Sequence, residues 1–117
     1  MTLCGVYIIT DYAPRLAAFY ESALKEIPIV DGQHYGFDKA QLAVYNPGNV
    51  NVVNDKNISI MFYVYDVTEE YKRLTREISD IVITSPPERR PWSAFSFWFL
   101  DPDGNTVSFV ENKDLEN

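Results

Sequence analysis

The sequence predicts an α+β domain built from two similar halves. Apolar residues alternate with period two in several short runs. Two stretches with apolar residues at helical spacing interrupt those runs. The order strand, helix, strands then occurs twice. Asp11 and Asp66 close equivalent strands, and their offset of 55 also pairs Ile9 with Val64, Leu16 with Tyr71 and Phe19 with Leu74. A period of that size is a cue for repeated units. The 117 residues, 46% of them hydrophobic, suffice for a single domain with a real core. The expected organisation is one domain over 1–117: module one over about 1–48, a linker over about 49–57, module two over about 58–111, and a polar tail over 112–117.

Taken in order, Leu3 to Thr10 reads as the first strand, with Val6, Ile8 and Ile9 around Tyr7. Asp11 is the candidate N-cap of the helix that follows, and Pro14 sits in its first turn, where a missing N–H costs little. Leu16, Phe19, Tyr20, Ala23 and Leu24 give that helix an apolar face. Strands are expected over 27–31, 35–37 and 40–45, and then Asn46-Pro47-Gly48-Asn49 opens a loop reaching about Asn57. The pattern restarts at Ile58 with a strand closed by Asp66. A helix over 67–78 follows, with Val67, Tyr71, Leu74 and Ile78 on one face, and then a strand over 81–84. Ser85-Pro86-Pro87-Glu88-Arg89-Arg90-Pro91 reads as a loop, because its prolines argue against helix and central strand. Strands over 93–100 and 106–110 form a final hairpin across Asp101-Pro102-Asp103-Gly104-Asn105, where Pro102 fixes φ and Gly104 accepts a positive one. From Asn112 onward the chain reads as a frayed polar end.

Composition excludes several classes. A net charge of −7 lacks the basic footprint that nucleic acid requires. No apolar run reaches the length of a membrane span, and no secretory signal precedes the first strand. The single cysteine, Cys4, forms no internal disulfide and reads as a small buried hydrophobe in the first strand, which suits a reducing cytoplasmic setting.

The run from Phe97 through Leu100, Asp101-Pro102-Asp103-Gly104-Asn105 and on to Val110 resembles the C-terminal signature of the glyoxalase / bleomycin-resistance / extradiol dioxygenase superfamily, the vicinal oxygen chelate fold. Val6 through Asp11 with the later Phe19-Tyr20, and Ile60 through Val67, resemble the openings of that family's two modules. The resemblance implies two βαβββ modules forming a curved mixed sheet with a concave cleft, helices on the outer face, and often a homodimer. It also implies where a divalent metal would be held: at Gly5, Ser59 and Ser108. Glycine offers no donor, and a serine hydroxyl is a poor ligand beside imidazole or carboxylate. The expectation is therefore no metal, no cofactor and no catalytic residue.

By strand parity, residues sharing the inner face with those three positions are Tyr7, Ile9, Met61, Tyr63, Tyr65 and Val110, joined on that face by Ser96, Trp98 and Leu100 of the other hairpin strand, with Phe97 and Phe99 toward the helices. Tyr7, Met61, Tyr63, Ser96, Trp98 and Ser108 are the candidate ligand-binding residues of an aromatic cleft with hydroxyls. The bleomycin-resistance members imply sequestration of a flat, aromatic or cationic molecule, on which Tyr7, Tyr63 and Trp98 would stack. A glyoxalase-type lyase, isomerase or dioxygenase is the alternative, with Tyr7, Tyr63 and Glu111 as acid/base candidates although Glu111 opposes Ser108 in parity. A structural or regulatory dimer without a ligand is the third reading. His34 reads as a loop histidine or a pocket-edge residue, and Arg89, Arg90 and Trp92 as solvated loop or lid.

Overall fold

The computed structural model describes residues 1–52 and 57–115, so residues 53–56 of the expected linker and 116–117 of the tail lie outside the described residues. The chain divides into two compact units, Met1–Val53 and Asn54–Asn117. In the first, β1 (Val6–Ile9), α1 (Ala13–Leu24), β2 (Ile29–Asp31), β3 (His34–Phe37) and β4 (Leu42–Tyr45) form a sheet of order β1-β4-β3-β2. In the second, β5 (Ser59–Val64), α2 (Val67–Glu77), β6 (Val82–Arg89), β7 (Phe95–Leu100) and β8 (Thr106–Glu111) repeat that design as β5-β8-β7-β6. In each sheet the first and last strands pair in parallel and the other pairs are antiparallel. Two βαβββ modules, each with a mixed sheet, are thus the architecture that the family resemblance implied, and they carry the strand, helix, strands order that repeats at offset 55. Among the described residues no helix is long and apolar enough to cross a membrane.

Each helix packs on its own module's sheet, α1 against β3 and β4, α2 against β6, β7 and β8. Ala13, Leu16, Ala17, Tyr20 and Ala23 of α1 are buried with Ile8, Phe37, Leu42 and Val44. In module two, Val67 and Leu74 of α2 are buried with Phe97, Phe99, Val107 and Phe109. The rings of Phe97, Phe99 and Phe109 meet one another at 5.2–5.6 Å between centroids, and Tyr71 of α2 closes on Phe97 at 5.4 Å. Phe97 and Phe99 are stacked and the other pairs edge-to-face, and both geometries add to the burial of the rings themselves.

The two helices start differently, which corrects the expected role of Asp11. Asp66 caps α2, its Oδ1 accepting from the Glu69 N–H at 3.1 Å. Glu111 Oε1 accepts from the Val67 N–H at 3.1 Å, so its carboxylate serves the helix side of the sheet. In α1 the capping position is Tyr12, one residue beyond Asp11, and no side chain caps it; Pro14 is the second residue of the helix, after Ala13. Cys4 is also corrected: β1 starts only at Val6, and Cys4 is exposed before it. The polar end does not fray at Asn112, whose N–H donates to the Val64 carbonyl at 2.8 Å and whose side chain accepts from Asp114.

The largest correction concerns the proline-rich stretch. β6 runs as a strand through Pro86 and Pro87 to Arg89. It can, because it is the edge of its sheet and its register against β7 shifts between Ile83 and Ser85 and again between Ser85 and Glu88. Prolines on an edge strand at a bulge deprive no ladder partner of a hydrogen bond.

The turn between β7 and β8 is organised by one buried carboxylate. Asp101 Oδ1 accepts from the N–H groups of Asp103 at 3.0 Å and Asn105 at 2.9 Å, and Oδ2 accepts from Asn105 Nδ2 at 2.8 Å. Gly104, at φ 85°, lets its own N–H reach the Asp101 carbonyl. Asp101→Ala strands these donors, and we expect it to lower the unfolding free energy by about 2–3 kcal/mol in urea titration, with Asp101→Asn retaining part of that.

Candidate functional site: an aromatic hollow on module two

The site begins with two consecutive arginines. At the end of β6, Arg89 pairs with Phe95 and Glu88 with Ser96. Because side chains alternate across a strand, neighbours take opposite faces. Arg89 stays exposed, 5.2 Å over the Phe95 ring. The chain then turns through Arg90-Pro91-Trp92-Ser93, closed by the Ser93 N–H on the Arg90 carbonyl and the Arg90 N–H on the Ala94 carbonyl. Arg90 folds back over the sheet and is only 7% exposed.

Its guanidinium is held from several directions. Nε donates to Ser96 Oγ at 2.9 Å, Nη2 to the Ser96 carbonyl at 3.1 Å, and Nη1 to Ser85 Oγ at 2.9 Å. Nη1 also bonds the Glu88 carboxylate. The group lies 4.5 Å over the Trp98 ring. The register explains the convergence: Ser85 pairs with Trp98 and Glu88 with Ser96, so the bulge keeps all four on one face. A buried cation is tolerated only when paired and hydrogen-bonded in this way. Sequence reading left Arg90 as loop surface. The signal that would have found it is Ser85 and Ser96 flanking a bulged edge strand.

That face carries a hollow of about 380 Å³, lined by Ser59, Met61, Tyr63, Trp92, Ser96, Trp98, Ser108 and Val110 among others. Five of the six sequence candidates, all but Tyr7, therefore meet in one place. The pairs Met61–Ser108 and Trp98–Ser108 put them there, since cross-strand partners share a face. Met61, Tyr63 and Trp92 are 65–70% exposed and form a rim; Ser96 and Ser108, each 2% exposed, form the floor. None of the lining residues is charged.

Tyr7 lies in a separate hollow of about 510 Å³ on module one, with Cys4, Gly5, His34 and Asp38. His34 is the first residue of β3, not a loop residue, and stands edge-on to Tyr7 with ring centroids 5.6 Å apart. Ile9, Tyr65 and Leu100 share the expected faces by parity but lie outside the residues lining either hollow. Tyr65 instead carries the Lys113 ammonium 4.4 Å above its ring.

The fold's usual divalent metal does not fit this donor set. A Cβ at Gly5 would stand 2.9 Å from the Gln41 carbonyl oxygen, so the backbone itself excludes a side chain there. Ser59 and Ser108 offer hydroxyls alone. Among the described residues no group of three or more His, Cys, Asp or Glu could hold a metal ion.

No protein-family model and no curated protein sequence matches the chain. Solved structures do. A protein of unknown function from Agrobacterium tumefaciens str. C58 superposes with a TM-score of 0.80 at 20% identity, over 96% of this chain and 94% of that one. A member of the glyoxalase/bleomycin resistance protein/dioxygenase superfamily from Sphaerobacter thermophilus DSM 20745 gives 0.71 at 27% identity, over 96% and 98%. A lactoylglutathione lyase from Agrobacterium tumefaciens gives 0.70 at 20%, over 99% and 97%. With its two βαβββ modules and its Asp-Pro-Asp-Gly-Asn hairpin, this chain has the fold of the glyoxalase/bleomycin resistance protein/dioxygenase superfamily.

Proposed function

We propose that the protein binds a planar aromatic small molecule in the hollow of module two, without a resident metal, as a sequestering protein of the cytoplasm. The observation that supports this best is the division of the hollow into an exposed rim of rings and a floor of buried hydroxyls. A core position would bury Tyr63 and Trp92, whereas both are left open here. Rings at a rim give a flat ligand contact area, and a few floor groups orient it. The lyase reading gains no support from Glu111, whose carboxylate is engaged with the start of α2.

The proposal includes a homodimer, because module one leaves Ile29 and Val30 exposed on its edge strand β2 and Ile27 exposed just before it. An uncovered apolar edge invites a second chain. Sedimentation at micromolar concentration is expected to give twice the chain mass of 13.5 kDa; a single 13.5 kDa species would exclude the dimer.

Titration with flat aromatic probes, read by quenching of tryptophan fluorescence, tests the site itself. Binding is expected to saturate and to be unchanged by a chelator. Trp98→Ala should weaken it by about 1–3 kcal/mol through lost burial and stacking, and the rim change Tyr63→Ala by about 0.5–1.5 kcal/mol. Affinity that both variants leave intact, or that a chelator abolishes, contradicts the proposal.

A further inference from the structure

We propose that this hollow selects a ligand bearing an oxygen acceptor, a carbonyl, phenolate or carboxylate, seated on Ser96 and Ser108, with Arg90 setting the preference from behind. This rests on the hollow being a ligand site and adds the chemical class it takes. Ser108 is 2% exposed and lines the floor of the hollow. A floor hydroxyl that a ligand covers needs an acceptor in that ligand, because a hydroxyl shut off from water without one is costly.

Ser96 is equally buried, and its Oγ already accepts from Arg90 Nε. A hydroxyl polarised by a cationic donor offers mainly its own proton to the next partner. Ser96 pairs with Val110 and Trp98 with Ser108, so the two hydroxyls stand on adjacent strands, one pair apart, on the same face. Two donors backed by a buried guanidinium favour oxygen with negative character, the paired Glu88 carboxylate offsetting part of that charge.

A cation finds less there. The lining residues supply no carboxylate. Glu88 is committed to Arg90 and directed outward, its side chain 58% exposed. One face of the Trp98 ring already lies under the Arg90 guanidinium, and a second cation brought to the ring would be repelled by it. The net charge of −7 attracts cations from a distance, but such attraction fades over roughly 8–10 Å at physiological salt.

Three probes with one ring system separate the possibilities: 2-acetonaphthone, 2-naphthoate and 2-naphthylmethylammonium, each titrated into the full chain by tryptophan quenching. The ketone and the carboxylate should bind at least about 5–10 times more tightly than the ammonium. Ser108→Ala should weaken both by about 3–10-fold, leave the ammonium unchanged, and leave the melting temperature unchanged or higher. Glu88→Gln, at an exposed position, should tighten naphthoate alone by about 2–5-fold. An ammonium that binds as well as the others, or a Ser108→Ala change that weakens all three alike, overturns the acceptor preference while leaving the hollow as a ligand site. Naphthoate unmoved by Glu88→Gln overturns the role of Arg90. Saturable binding of none of the three overturns both the preference and the site.

Discussion

The pairing of β7 with β8 is the constraint on which the rest of module two depends. Phe97 opposes Phe109, Phe99 opposes Val107, Trp98 opposes Ser108 and Ser96 opposes Val110. Period-two alternation sends the first set to the helix and the second to the hollow. A slip of one residue would exchange the faces, putting serines against α2 and phenylalanines into water. The Asp101 carboxylate prevents that slip by fixing the turn, and the three interlocking phenylalanine rings fix it again from the core. The packing that stabilises the module is therefore also what positions the candidate site.

The two modules share a topology but not their details. In module one β1, β3 and β4 are four residues long where β5, β8 and β7 of module two have six, and the helix of module one begins without a side-chain cap. Module two has a capped helix with Arg73 bridging Glu70 and Glu77, and a buried arginine on the opposite face of its sheet. Gly5 and Ser59 hold corresponding places near the starts of β1 and β5, and neither suits a metal, one for lack of room and the other for lack of a strong donor. Hydroxyls and rings are what this chain presents near the positions where the family resemblance implies ligands for a cation.

Much of this was legible in the sequence because it follows from period and turn chemistry. The repeat at offset 55 gave the strand–helix–strands order. Alternation placed Met61, Tyr63, Ser96, Trp98 and Ser108 on one face, and they do line one hollow. What was illegible depends on tertiary context. Prolines at 86 and 87 read as a loop because a sequence does not say which strand is the edge. Arg90 read as surface because its burial requires Ser85, Glu88, Ser96 and Trp98, brought together only by a bulge. Cys4 read as core because strand length, not strand type, was overestimated.

The central claim is that the module-two hollow receives a ligand. The most direct measurement is a two-dimensional NMR titration of the full chain with 2-acetonaphthone, following the Met61 methyl, the indole N–H groups of Trp92 and Trp98, and the Arg90 Nε–H. The account predicts saturable shifts concentrated on those four groups, with the signals of Cys4, Tyr7 and His34 in the other hollow staying in place. Shifts confined to module one, or scattered without saturation across both modules, would contradict it.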